Sequence, residues 1–181
     1  MAPDIELWFA AVENAQRFAD DAELLIENER GESAVILSVL AIEEFGKALI
    51  AKWGVRNEGT KREFPSHLEK QAATFALLHA EEVANASRKK VEKYRKQNDF
   101  RIFGPHSEQF SWARAGFFDD LRMVATYVDK QPKWPEQITD QIDHKFAREI
   151  LLYFKKAKLA AKKKRPHQLA AEVYKNGLGR L

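Results

Sequence analysis

The chain has 181 residues, of which 45% are hydrophobic and 31% charged, with a net charge of +3 and no cysteine. That length suits one sizeable core, and the absence of cysteine excludes disulfides and cysteine nucleophiles. No run of about 18 uncharged apolar residues is present, so no membrane span is expected. The opening MAPDIELW is acidic and does not read as a secretory signal, which with the missing cysteines leads to the expectation of a cytoplasmic protein without a cofactor. The small net charge conceals an asymmetry: residues 1–60 carry 5 Lys/Arg against 12 Asp/Glu, and residues 61–181 carry 25 against 15.

Residues 4–29 read as a first helix, because Ile5, Trp8, Val12, Ala15, Ala19, Ala22 and Ile26 recur at spacings of three and four. Gly31 is a candidate left-handed cap, and so short a turn folds the next helix back antiparallel. That second helix, over 32–54, contains ESAVILSVLAIEEFGKALIAKWG, the most apolar helix-compatible run in the chain. Glu43, Glu44 and Lys47 interrupt rows otherwise made of Leu, Ile and Ala. A helix apolar nearly all round is the central one of a bundle, so these carboxylates lie at least partly inside and need partners.

After a polar loop over 54–64, a third helix is expected from Pro65 to about Gln97, with Ala73, Leu77, Ala80, Ala84 and Val91 facing inward. Residues 98–107 read as a loop, since Gly104-Pro105 cannot continue a helix. A fourth helix follows over 108–129, a turn over 130–135, and a fifth helix over 136–162. Pro166 starts a short last helix that ends at Asn176-Gly177. The expected fold is all-α: one domain over 1–181, an antiparallel bundle of five or six helices. Its core covers about 4–160, with a basic segment and short helix over 155–176.

Four groups of residues bear on chemistry. Glu43, Glu44 and Lys47 with His67 and Lys70 place carboxylates near a histidine and two lysines, a set suited to acid–base work or to holding a phosphate. The same set is equally read as a buried ion-pair network that fixes how helices dock. Arg101 and His106 are separated by four residues, a spacing compatible with metal-free RNA cleavage, in which histidine moves protons and arginine stabilises the phosphorane. They are also read as an ordinary loop arginine and loop histidine. Two basic runs, one with Arg88, Lys89, Lys90, Lys93, Arg95 and Lys96, the other ending in Lys162, Lys163, Lys164 and Arg165, fit a nucleic-acid footprint or a solvated helix face. No metal site is expected, because a carboxylate-bridged bundle site needs Glu-x-x-His and the chain has none.

Val12 to Ala22, LAIEEFGKAL (40–49), HLEK (67–70) and TYVDKQPKW (126–134) together resemble the AbiV family of abortive-infection proteins. The resemblance covers most of residues 5–135. The family is grouped with the HEPN superfamily, small all-α bundles that often dimerise and include many RNases. What the resemblance implies is a HEPN-like bundle in phage defence that interferes with RNA or translation, as a homodimer. It carries over Glu43, Glu44, Lys47, His67, Lys70, Tyr127 and Asp129 as family-motif residues. Catalytic HEPN proteins have an arginine, usually a polar residue next, and a histidine four to six positions after the arginine. Arg101 and His106 satisfy that spacing, with Ile102 in place of the polar neighbour and Gly104-Pro105 between the two. Three readings follow: a defence protein that binds RNA or a translation component, a metal-independent endoribonuclease, and a protein-binding or dimerisation module without nucleic-acid affinity.

Overall fold

A computed structural model describes residues 3–55, 65–126 and 142–176. Eight α-helices fall among them: α1 (Ile5–Glu27), α2 (Gly31–Trp53), α3 (His67–Ala84), α4 (Arg88–Gln97), α5 (His106–Ala115), α6 (Phe117–Thr126), α7 (His144–Ala160) and α8 (Lys164–Asn176). A 3₁₀ turn, Phe100–Ile102, lies between α4 and α5. The described residues contain no strand, and no helix among them is long and apolar enough to cross a membrane.

α2 is the central helix, as its composition requires. It buries residues around its whole circumference, from Ala34 and Val35 to Phe45, Leu49 and Ala51, and packs on α1, α3, α6 and α7. α1 approaches it through a row of small side chains, Ala11, Ala15, Ala19 and Ala22, that lets the two backbones come close. The Asp4 amide donates to the Ala51 carbonyl at 2.9 Å, so the start of α1 lies beside the end of α2 and the pair is antiparallel. Gly54 closes α2 in the left-handed conformation (φ 62°). Aromatic rings fill the interior: Phe45 meets Trp8 and Phe154, and Phe75 stacks on Phe118 at 4.6 Å.

Several boundaries differ from the sequence expectation, among them the start of the helix expected over 136–162, since α7 begins at His144 with Asp143 as its cap. Glu29, not Gly31, takes the left-handed position after α1 (φ 57°). Gly31 instead opens α2 where α7 begins; a Cβ there would lie 2.6 Å from the backbone carbon of Asp143. The helix expected over 65–97 is two helices, because Asn85 caps α3 and the Ser87 side chain accepts from the Lys90 amide to start α4. Likewise Gly116, at φ 95°, divides the expected 108–129 helix into α5 and α6. At the other end, α8 begins at Lys164 rather than Pro166. The bundle therefore has more and shorter helices than the five or six expected.

Gly46 sets the crossing of α2 and α3. A Cβ at this position would lie 1.7 Å from the Lys70 carbonyl oxygen and 2.5 Å from its carbon, so only glycine permits this approach. Gly46→Ala is expected to destabilise the protein by about 3 kcal/mol, even though alanine is the better helix former by about 1 kcal/mol. Chemical denaturation checks this; unchanged or raised stability contradicts so close a contact.

Candidate functional site

Glu43 and Glu44, adjacent in sequence, face different helices. Glu43 is buried in the junction of α2, α3 and α6. Its Oε1 accepts from Gln71 Nε2 at 2.8 Å, and its Oε2 meets His67 Nδ1 at 2.6 Å. Arg122 Nε lies 3.9 Å from Oε1, and one terminal nitrogen of the guanidinium donates to Asp119 Oδ1 at 2.7 Å. Glu44 is turned the other way, toward α1, where Asn14 donates to it at 3.1 Å and Lys47 at 3.3 Å. His67 therefore contacts Glu43 and not Glu44. The half-buried Lys70 has no side-chain partner among the described residues, and its backbone is what touches Gly46.

Local structure accounts for this meeting. Ser66 and Glu69 form a capping box: the Ser66 hydroxyl accepts from the Glu69 amide, and the Glu69 carboxylate accepts from the Ser66 amide at 2.6 Å. That box starts α3 at His67, which puts the imidazole on the first turn, and Gln71 one turn further on lies over Glu43. Thr74 then donates to the Ile42 carbonyl at 2.9 Å, locking α3 along α2. Asp119 and Arg122, three residues apart on α6, complete the cluster. Sequence reasoning named Glu43 and His67 but missed Gln71, Asp119 and Arg122. Tyr127 and Asp129 lie outside the described residues.

Arg101 and His106 take different partners. Arg101 is exposed and forks onto Asp99, its Nε at 3.0 Å and a terminal nitrogen at 3.1 Å. That pairing holds the Asp99 carboxyl below the usual carboxylate range and raises the guanidinium. His106 is the first residue of α5 and is largely buried. Its Nδ1–H donates to Gln109 Oε1, Gln109 Nε2 donates to the Tyr153 hydroxyl at 2.9 Å, and Nε2 faces Glu82 at 3.7 Å. Burial pushes the Tyr153 hydroxyl up, with Glu149 adding to it. His79, fully buried against Phe100 and Phe103, faces the other side of the same Glu82 carboxylate at 3.7 Å.

The basic residues are on the surface. α4 buries no residue; Arg88, Lys89, Lys90, Lys93, Arg95 and Lys96 are all exposed, and half-buried Tyr94 anchors the helix on Phe100 and Phe103. Lys162, Lys163, Lys164 and Arg165 are exposed across the end of α7 and the start of α8. The lysines of α7 divide: Lys155 and Lys158 turn to Glu23 and Gln16 of α1, whereas Lys156 faces the end of α3.

Replacing either glutamate tests the two environments. Glu43→Leu strands Gln71, His67 and Arg122 against an apolar side chain and is expected to cost about 3 kcal/mol or more. Glu44→Leu loses only partly solvated partners and is expected to change stability by less than about 1 kcal/mol. Equal losses in urea denaturation contradict the assignment of Glu43 as the buried anchor.

The chain matches no curated protein and no solved structure. The family model for AbiV, within the HEPN group, matches residues 5–157 and so spans α1 to most of α7. The chain therefore belongs to the AbiV family of HEPN-like proteins, a membership that points to abortive infection, that is, to defence against phage.

Proposed function

We propose that this protein acts in phage defence by binding RNA along a basic surface that joins α4 to residues 155–165. The observation that carries this reading is the convergence of the two basic runs at the C-terminal end of α3. Lys90 of α4 and Lys156 of α7 line one concavity of about 440 Å³, together with Glu81, Glu82, Asn85 and Phe103. Lys163 reaches the same end of α3, where it pairs with Glu81. The two carboxylates are thereby engaged from within: Glu81 by Lys163, and Glu82 by the His106 backbone amide at 3.2 Å. Beside them Lys90, whose Nζ donates to the Phe103 carbonyl at 3.4 Å, and the exposed Lys156 supply positive charge that attracts phosphate.

A helix such as α4, which contributes no buried side chain, adds little to the core. What it does add is a rigid row of cations, the means by which a protein neutralises a phosphate backbone. A cleavage reading built on Arg101 and His106 lacks comparable support, since the guanidinium is committed to Asp99 and the imidazole to Gln109 and Glu82.

Titration of labelled single-stranded RNA at several salt concentrations tests the proposal. Affinity is expected to fall with salt, log K against log[salt] having a slope of about −0.7 per phosphate neutralised. The triple variant Lys89→Glu, Lys90→Glu, Lys93→Glu is expected to flatten the slope and weaken binding at least about tenfold at low salt. Absence of binding at low salt, or binding indifferent to the triple variant, contradicts it. Intact RNA recovered with chelator present supports binding without cleavage.

A further inference from the structure

We propose that Glu43, His67 and Asp119 form a binding site for a divalent first-row transition metal, Zn²⁺ in the first place, with Mn²⁺ or Co²⁺ able to substitute. One ligand atom from each of the three lies within 4.8 Å of the other two, a separation that an ion with bonds of about 2.0–2.2 Å bridges with a small inward movement. The donors come from α2, α3 and α6, so only the folded chain assembles them. This inference does not rest on the RNA-binding reading.

The surroundings are those of a built site. Gln71, fully buried, donates to one oxygen of Glu43 and orients the carboxylate, as a polar neighbour orients a metal ligand. Among the described residues its own Oε1 is buried without a hydrogen-bond partner, and so is Arg122 Nε, which approaches Glu43 Oε1 only to 3.9 Å. Arg122 occupies Oδ1 of Asp119 and leaves Oδ2 without a partner among the described residues. The side chains grade outward from Glu43 at 3% exposed, through Asp119 at 34%, to His67 at 52%, which gives an ion a route in from solvent.

The donor set decides the metal class. One imidazole with two carboxylates suits Zn²⁺ and Mn²⁺; Ca²⁺ and Mg²⁺ prefer oxygen alone, and Cu(I) prefers sulfur. Three protein donors leave a fourth position for water, the arrangement of reactive rather than purely structural zinc sites. Ligation through His67 Nδ1 replaces its contact with Glu43 and puts the ring proton on Nε2. Only the neutral imidazole binds a metal ion. Arg122 keeps the site from a large negative charge, which disfavours ions of higher charge.

The test uses the full chain, freed of any affinity tag, titrated with Co²⁺ while its visible d–d absorption is followed, and with Zn²⁺ by calorimetry. One equivalent is expected to bind. His67→Ala and Asp119→Asn, both on partly exposed side chains, are each expected to weaken binding more than about tenfold while circular dichroism shows them folded. His144→Ala, remote from the cluster in sequence and on another helix, is expected to bind as the parent does. No binding by the parent, or binding that His67→Ala and Asp119→Asn leave unchanged, overturns the site and leaves the cluster as an ion-pair network held by Arg122.

Discussion

One carboxylate determines how the helices around α2 are set. Glu43 stands in the most apolar helix of the chain and is removed from water, so its charge must be answered by groups brought from elsewhere. α3 answers with His67 and Gln71, and α6 with Arg122, itself held by Asp119. The register of α3 is then set twice over. The capping box at Ser66 and Glu69 decides where the helix starts, and Gly46 decides how near its backbone lies to α2. These three constraints, burial of a charge, a helix start and a close glycine contact, all fall within the EEFGK and SHLEK segments. That gives a physical reason for those segments to characterise the chain.

Much of this was legible in the residues. The near-complete apolarity of α2 identified the central helix and implied that its carboxylates need partners, and the 3.6-residue stripe of α1 gave Ala15, Ala19, Ala22 and Ile26 as inward, though it left out Ala11 and included Ile5, which is exposed. What failed to show was which partners. Glu43 and Glu44 are 100° apart on a helix, and periodicity alone does not say which of two adjacent positions faces α3. Asp119 and Arg122 lie on α6 with no motif to mark them, and their role exists only through the packing of α6 on α2.

The helix breaks were missed for local reasons. Ser87 carries no glutamate three residues later, so its cap left no capping-box signature, and Gly116 sits inside a stripe whose apolar period continues past it. SHLEK does contain that signature: its serine and glutamate start the helix, and its histidine and lysine lie on the first turn. Gly104-Pro105 reads as loop through His106, yet Pro105 immediately precedes the first turn of α5, where its missing N–H costs nothing.

The docking of α3 on α2 depends most directly on energetic coupling between Glu43 and His67. A double-mutant cycle of Glu43→Gln and His67→Ala, followed by urea denaturation of all four proteins, measures it. A non-additive term of about 1 kcal/mol or more is expected, with the double variant less impaired than the sum of the singles. Additive effects within about 0.3 kcal/mol would contradict it, because they would mean that the carboxylate and the imidazole do not sense one another.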